Sequence, residues 1–239
     1  MTSSPASTRR VALVTGGSQG LGLALVRRLV QDGWLVITDA RRGERLAAAA
    51  AGLPRNAVHA IPGDVADPDH REQLVLAVRA AGRLDLLVHN ASALGPSPLP
   101  PLAAHPLDEL EQVYRVNVFA PLALTQPLLP DLRHSRGVLI MISSDAAAEA
   151  YPGWGGYGSS KAALDQLAAV LAVELPELHV YAVDPGDMNT EMHQRAFPGE
   201  DISDRPAPEA AVPALLRLVE QDVPSGRYRA ADLLDRVDA

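Results

Sequence analysis

The chain has 239 residues, enough for one domain with a substantial core, and its 47% hydrophobic content is mostly aliphatic because aromatic residues make up only 4%. The net charge of −8 argues against binding nucleic acid or an anionic membrane through bulk electrostatics. The chain has no cysteine, which excludes disulfides, thiolate metal sites and a cysteine nucleophile.

The N-terminal residues 1–9 are polar and lack the apolar centre of a signal peptide, so we predict a disordered tail there. Residues 10–239 are predicted to form a single domain. The longest apolar stretch, residues 162–173, is interrupted by Asp165 and falls short of the ~18 residues that a bilayer span requires. The sequence therefore predicts a soluble, cytoplasmic protein without a membrane partner.

Short apolar runs alternate with longer segments of helical periodicity along the chain. Strands are predicted at 11–14, 35–38, 57–61, 84–89, 137–142, 180–183 and 227–230, and helices at 21–30, 42–51, 68–81, 106–132, 157–174 and 209–221. Pro121, Pro127 and Pro130 are expected to start, bend or end parts of the long fourth helix. Residues 185–208 show no clear element. This alternation predicts an α/β fold of the Rossmann type, a doubly wound parallel sheet of about seven strands with helices on both faces.

The segment after the first strand reads Thr-Gly-Gly-Ser-Gln-Gly-Leu-Gly, from Thr15 to Gly22, and opens the first helix. Gly16, Gly20 and Gly22 allow a tight turn and let the backbone approach a pyrophosphate, whose charge free amides at the helix N-terminus can meet. Three residues separate Gly16 from Gly20, whereas a single residue separates the first two glycines of the G-x-G-x-x-G pattern. The segment predicts a dinucleotide site, with a turn that binds no ligand as the alternative.

Lys161 is the one lysine in the chain, and it follows Tyr157 by four residues. On a helix these two positions share a face, so the ammonium group would lie beside the phenol. The pKa of a free tyrosine is about 10, and a neighbouring cation favours the phenolate, which would move that pKa toward neutral pH. The pair predicts an acid–base site, with an ordinary surface pair as the alternative.

Together, the glycine-rich turn and Tyr157-x-x-x-Lys161 resemble the short-chain dehydrogenase/reductase family, in its short single-domain branch. Further matches follow in order at the family's spacing: Asp64 with Val65 after the third strand, Asn90 with Ala91 after the fourth, Asn117 in the long helix, Ser144 after the fifth strand, and Pro185, Gly186 and Thr190 after the sixth. His89 and Ser92 depart from the family's usual Asn-Asn-Ala-Gly. The match extends from Val11 to about Thr190.

This resemblance implies an NAD(P)-dependent oxidoreductase that interconverts a secondary alcohol and a ketone or other carbonyl. Tyr157 would exchange a proton with the substrate oxygen while hydride moves to or from the nicotinamide. Ser144 would donate a hydrogen bond to the same oxygen. Lys161 would also hold the nicotinamide ribose, and Asn117 would anchor a water that links Lys161 to solvent. The implied catalytic residues are these four.

The cofactor contacts that the resemblance implies come from the glycine-rich turn and the strand ends: Gly16, Ser18, Gln19, Gly20, Leu21, Gly22, Asp39, Arg41, Asp64, Val65, Asn90, Ala91, Tyr157, Lys161, Pro185, Gly186 and Thr190. An acid after strand two binds the ribose 2′-hydroxyl of NAD, whereas an arginine there accommodates the 2′-phosphate of NADP. Asp39 falls one residue before the family's acidic position, and Arg41 falls where NADP-dependent members carry a basic residue. Ser18 and Gln19 add no positive charge. NADP(H) is therefore favoured over NAD(H), and a shift of one residue in the strand would reverse this choice.

In this family the substrate site is bounded by the segments after strands four, five and six, which here supply Leu94, Tyr151, Trp154, Met188 and Met192. We hypothesise an apolar pocket for a cyclic or aryl carbonyl, with Trp154 as one wall. Packing of Trp154 against another subunit or a loop is the alternative. Residues 186–208 are predicted to form a mobile lid over the substrate.

The expected partners are a small carbonyl or alcohol substrate and further copies of the chain. The family tendency and the alanine-rich outer face of helix 157–174 predict a homodimer or homotetramer. The histidines are not spaced as metal ligands, so no metal is expected. Two other functions fit the sequence: a catalytically silent dinucleotide-binding sensor, and a reductase of 3-oxoacyl thioesters on an acidic carrier, whose docking a net charge of −8 would oppose.

Overall fold

A computed structural model of the protein describes residues 9–235, so most of the predicted N-terminal tail lies outside the described residues. Within this range one parallel sheet has the strand order β3-β2-β1-β4-β5-β6-β7. Its strands are β1 Val11–Val14, β2 Leu35–Ala40, β3 Val58–Pro62, β4 Leu86–His89, β5 Val138–Ile142, β6 His179–Asp184 and β7 Gly226–Arg229. The direction of the strand order reverses between β1 and β4, which opens a crevice at the carboxyl ends of these two strands.

Helices cover both faces of the sheet, which confirms the predicted fold class. Their bounds are α1 Gly20–Gln31, α2 Gly43–Ala50, α3 Pro68–Ala81, α4 Leu107–Tyr114, α5 Ala120–Ser135, α6 Gly155–Glu174, α7 Glu191–Ala196, α8 Val212–Glu220 and α9 Ala230–Asp235. Helices α1 and α8 pack on one face, and α3, α5 and α6 pack on the other. Within residues 9–235, none of the helices combines the length and the apolar character needed to cross a membrane.

The core is split in two by the sheet because neighbouring side chains of a strand point to opposite faces. In β1, Ala12 and Val14 join the α1 and α8 side, while Val11 and Leu13 join the α3, α5 and α6 side. Strands β1, β4 and β5 are buried along their whole length. Their continuous apolar sequences thus follow from cover on both faces.

The long helical segment 106–132 is divided by a wider π turn at Arg115–Phe119, between α4 and α5. Pro121 lies in the first turn of α5, directly after the π turn, whereas Pro127 and Pro130 lie inside the helix. The π turn carries Asn117 inward at the level of the strand ends. Such turns are frequent at functional sites.

The last third of the chain differs most from the sequence-based expectation. Residues 185–208 contain α7, six residues long, whose first turn is capped by Thr190 Oγ1 accepting from the backbone N–H of His193 at 3.2 Å. The predicted helix 209–221 is a 3₁₀ turn, Pro208–Ala211, followed by α8. Strand β7 begins one residue earlier than predicted, and α9 was not predicted. Helices α7 and α9 have six residues each, which is too short for an apolar period to be detected in the sequence.

Helix α3 provides a matched test of the core because Leu74 is fully buried while Leu76 is 56% exposed. We expect Leu74→Ala to lower the free energy of unfolding by about 2–5 kcal/mol through loss of buried contacts and the cavity left behind. Leu76→Ala should change it by less than about 0.5 kcal/mol. Urea unfolding followed by circular dichroism measures both, and equal losses in the two variants would contradict the assigned faces of α3.

Candidate functional site

A cleft of about 690 Å³ opens at the carboxyl edge of the sheet, where the strand order reverses. This volume lies within the range of small-molecule and cofactor sites. One end of the cleft reaches Arg41 and Asp64, after β2 and β3, and the other end reaches Trp154 and Met192. The glycine-rich turn forms the floor between these ends, and the segment from Pro185 to Ala196 borders the opposite side.

The glycine-rich turn brings its backbone close to the end of β4. Gly16 and Gly20 have φ angles of 75° and 53°, in the left-handed region that favours glycine. A Cβ atom on Gly16 would lie 2.9 Å from Ala91 Cα, and one on Gly22 would lie 2.4 Å from the carbonyl oxygen of Gly16. Gly22 does not line the cleft, so its predicted cofactor contact is replaced by close packing under the turn. The turn therefore needs glycine at these positions to keep this shape.

Asp39 lines the cleft, as predicted, but its carboxylate is used within the protein, where it holds the glycine-rich turn. Its carboxylate accepts a hydrogen bond from the Gly16 N–H at 2.8 Å, its other oxygen lies 2.9 Å from His70 Nε2, and the residue is 2% exposed. The reason is strand alternation: Asp39 lies on the same face of β2 as Ile37, toward α3. Both oxygens of the Asp39 carboxylate are therefore already engaged by protein groups.

Asn90 secures the turn from the side of β4. Its side-chain amide donates to the carbonyl oxygens of Thr15 and Gly16 at 2.8 and 3.2 Å. The backbone N–H groups of Asn90 and Ala91 both donate to Thr15 Oγ1, at 3.0 and 3.1 Å. Asn90 and Ala91 thus line the cleft while fixing the shape of its floor.

The first turn of α1 is suited to an anionic group such as a pyrophosphate. No side chain caps this helix, so the amides of its first turn stay available. The residue before it, Gln19, has a buried side-chain oxygen without a hydrogen-bond partner. Thr190 faces the turn from the other side, with its Cγ2 atom 3.5 Å from where a Cβ of Gly20 would lie. Ser18, Gln19, Gly20 and Leu21 all line the cleft, as predicted.

Three arginines gather at the Asp64 and Val65 end of the cleft: Arg41, Arg42 and Arg45. Arg41 is exposed and forms no ion pair within residues 9–235. Arg45 pairs with Glu191 of α7 at 2.5 Å, and Arg42 Nη1 lies 3.7 Å from the same carboxylate. Of these three arginines, only Arg41 was predicted from the sequence as a cofactor contact. The three-residue spacing of Arg42 and Arg45 at the start of α2 was the available signal.

At the other end of the cleft, Tyr157 and Lys161 lie one turn apart on α6 and are both buried. The Lys161 ammonium group donates to the Ile142 carbonyl oxygen at 2.7 Å and lies 5.6 Å from the centre of the Tyr157 ring. Burial raises the pKa of Tyr157 to about 12, although hydrogen bonds with Ser92 and Ser144 lower it in part. Burial also lowers the pKa of Lys161 to about 8. The predicted shift of the Tyr157 pKa toward neutral pH is therefore wrong, because the cost of desolvating the phenolate dominates.

Ser144 follows β5 and lies beside Tyr157. Its hydroxyl donates to Asp145 Oδ1 at 2.9 Å and accepts from the Ala146 N–H at 3.2 Å, which caps the 3₁₀ turn Asp145–Ala147. The same hydroxyl lowers the pKa of Tyr157 by hydrogen bonding. Ser144 thus reaches both the turn that it caps and the phenol.

Asn117 is buried in the π turn behind the cleft, and its side chain is saturated by protein groups. Its amide donates to the Ala93 carbonyl oxygen and to Ser160 Oγ, both at 2.9 Å. Its carbonyl oxygen accepts from the Ala93 N–H at 2.8 Å and from Ser92 Oγ at 3.2 Å. The side chain therefore fixes the loop after β4 against α6. The water that it was predicted to anchor stays a prediction.

The apolar wall of the cleft contains four of the five predicted substrate residues: Leu94, Trp154, Met188 and Met192. Trp154 packs edge-on against Tyr157, with 5.8 Å between ring centres, and also contacts Phe197. Tyr151 does not line the cleft. Its side chain turns outward because its hydroxyl donates to Glu149 Oε2 at 2.7 Å. Asp145, which was not among the five, supplies a carboxylate at this wall.

Comparison with known proteins agrees with this geometry. A family model described as short chain dehydrogenase matches residues 10–201. The serine 3-dehydrogenase of Agrobacterium fabrum is 38% identical over 183 residues, which cover 75% of this chain and 72% of that protein. The benzil reductase ((S)-benzoin forming) of Saccharomyces cerevisiae is 32% identical over 235 residues, which cover 95% of this chain and 85% of that protein.

Solved structures are similar over nearly the whole chain. A short chain dehydrogenase of Shigella flexneri, complexed with NADP, superposes with a TM-score of 0.86 at 30% identity and covers 93% of this chain and 97% of that one. A short chain dehydrogenase of Escherichia coli, complexed with NADPH, gives a TM-score of 0.85 at 31% identity and covers 92% of this chain and 96% of that one.

The raised pKa of Tyr157 can be measured without any ligand. We expect the phenolate absorbance of wild type minus Tyr157→Phe to show no ionisation until the pH approaches the pKa of about 12, because burial disfavours the charged form. Circular dichroism at each pH restricts the titration to folded protein. A midpoint for Tyr157 below the free-tyrosine value of about 10 would contradict the assignment.

Proposed function

Because the chain belongs to the short chain dehydrogenase family, we propose that it is an NADP(H)-preferring oxidoreductase that interconverts a secondary alcohol and a ketone or other carbonyl. The observation that carries this proposal is the arrangement of the cleft. Ser144, Tyr157 and Lys161 meet at one end, and the glycine-rich turn leads from them to a group of arginines at the other.

The residues that would hold the dinucleotide follow the length of the cleft. The first turn of α1 would receive the pyrophosphate, Asp64 and Val65 would border the adenine, and Tyr157 with Lys161 would contact the nicotinamide ribose. When bound, the nicotinamide supplies or accepts the hydride. The buried Gln19 oxygen and the uncapped amides of α1 support this fit.

The protonation state of Tyr157 favours carbonyl reduction. A phenol with a pKa of about 12 carries its proton at neutral pH, so it is ready to donate that proton to a developing alkoxide. Ser144 can donate a second hydrogen bond to the same oxygen when its hydroxyl turns from Asp145. Leu94 and Trp154 pack in one apolar cluster with Tyr157 and would restrict the access of water to this end of the cleft. Alcohol oxidation needs the phenolate and should be favoured by high pH.

The preference for NADP(H) rests on Asp39, near the end of β2, and on Arg41, which follows the strand. Asp39 is used by Gly16 and His70, so it is not available to a ribose hydroxyl. Arg41 remains exposed at the cleft, where it suits a 2′-phosphate. The similar structures complexed with NADP and NADPH support the same choice.

The assembly, lid and location predicted from the sequence also belong to this proposal. Leu107, Phe119 and Val173 are exposed apolar residues on α4, the π turn and α6, which favours a homodimer or homotetramer through these helices. Residues 186–208 would act as the lid of the substrate site. The cytoplasmic location stays a prediction.

The NADP(H) preference predicts a selective effect of Arg41→Ala. Loss of the guanidinium should weaken NADPH binding by at least about tenfold and leave NADH binding unchanged, because only NADPH carries the 2′-phosphate. Nicotinamide fluorescence on titration measures both dissociation constants. Arg55→Ala, an exposed arginine outside the cleft, is the matched control. Equal weakening of NADPH and NADH would show that Arg41 does not contact the phosphate.

The catalytic assignment predicts that Tyr157→Phe binds NADPH like wild type and loses turnover. We expect kcat/KM on a panel of ketones to fall by about 100-fold or more, because phenylalanine keeps the ring but cannot transfer the proton. Tyr114→Phe, outside the cleft, should retain activity. Binding of NADPH without turnover in wild type on every ketone would favour the silent sensor, and turnover that survives in Tyr157→Phe would refute the acid–base role.

A further inference from the structure

Glu191 is the residue of α7 that faces the arginines at the 2′-phosphate end of the cleft. We propose that Glu191 is a specificity-determining residue, whose carboxylate competes with the 2′-phosphate of NADP(H) for Arg42 and Arg45. This inference rests on the proposed function. It adds that the chain carries an internal anion that limits its own preference for NADP(H).

The ion pairs place one carboxylate between two cations. Glu191 Oε2 lies 2.5 Å from Arg45 Nη1, and Glu191 Oε1 lies 3.7 Å from Arg42 Nη1. Together with Arg195, these arginines lower the pKa of Glu191, so the carboxylate is ionised at neutral pH. A phosphate that approaches Arg42 and Arg45 therefore meets a negative charge already paired with them.

The pairs are open enough for a phosphate to compete with them. The side chains of Arg42, Arg45 and Glu191 are 72%, 39% and 42% exposed. Exposed ion pairs contribute little stability because water screens them. A phosphate carries more charge and more acceptor oxygens than a carboxylate, and arginine can bind it through two parallel hydrogen bonds.

The position of α7 keeps Glu191 near the arginines. At the start of the helix, Thr190 lies against Gly20 of the glycine-rich turn. Near its end, the Arg195 carbonyl oxygen accepts from Ser97 Oγ at 2.7 Å, and the Arg195 side chain donates to the Gly95 carbonyl oxygen at 3.1 Å. Release of Glu191 by a phosphate would therefore loosen one of the attachments of α7.

NADH and NADPH differ in what they present to this carboxylate. A 2′-phosphate is repelled by Glu191, whereas a 2′-hydroxyl is neutral and can donate a hydrogen bond to it. The buried Asp39 cannot offer that acceptor. Neutralising Glu191 should therefore strengthen the binding of NADPH relative to the binding of NADH.

The test is titration of the full chain with NADPH and with NADH, followed by nicotinamide fluorescence, for wild type and Glu191→Gln. We expect Glu191→Gln to tighten NADPH binding about three- to fivefold, as the size of exposed ion pairs allows, without tightening NADH binding. The difference should shrink at high salt. Glu200→Gln, which removes the same charge from the same segment away from the arginines, should leave both affinities unchanged.

Arg45→Ala provides the second variant. If Glu191 and the 2′-phosphate compete for Arg45, the gain in NADPH affinity from Glu191→Gln should be smaller in the Arg45→Ala background. Unchanged or weaker NADPH binding in Glu191→Gln would overturn the inference while leaving the proposed function intact. Failure of wild type to bind either dinucleotide would instead refute the proposed function.

Discussion

Burial of the Lys161 ammonium group is the constraint on which the proposed reactive end of the cleft depends. A chain that has one lysine among its 21 lysine and arginine residues places that lysine where it is 1% exposed. Burying a charge is costly unless hydrogen bonds satisfy it, and here the Ile142 carbonyl oxygen accepts from it while Asp165 favours the charged form. Ile142 ends β5, directly before the segment that presents Ser144. The contact that satisfies the ammonium group therefore also aligns α6 with Ser144.

A second set of buried polar contacts fixes the nucleotide end. Asp39, supported by His70, holds the Gly16 amide, and Asn90 holds the neighbouring carbonyl oxygens. These contacts join β1, β2, β4 and α3 around one turn, so the uncapped start of α1 faces the cleft in a fixed position. The two ends are thus built from separate polar networks, and the sheet between them sets their distance. The proposed hydride transfer requires both ends at once, which is why the switch in strand order matters for the proposed function.

The features of the fold and of the site that depend on local sequence pattern could be predicted from the sequence. Alternating strands and helices, the glycine-rich turn and the spacing of Tyr157 and Lys161 all follow from short-range periodicity, and the structure brings Ser144 to them. Contacts between residues that are distant in the sequence could not be predicted. His70 lies 31 residues from Asp39, and no local pattern shows that the Asp39 carboxylate contacts another protein side chain. The raised Tyr157 pKa depends on burial by several elements, and the outward turn of Tyr151 depends on Glu149. The six residues of α7 are too few to show a period, so Glu191 was missed.

The central claim, that a buried lysine shares the reactive end of the cleft with a neutral phenol, is tested most directly on Lys161 itself. Because the chain has one lysine, protein grown on isotope-labelled lysine gives a single lysine side-chain signal in nuclear magnetic resonance. Titrated with pH, this signal should show a midpoint of about 8 and should move when NADPH is added. A midpoint at the ordinary lysine value of 10.5, with no response to NADPH, would contradict the account.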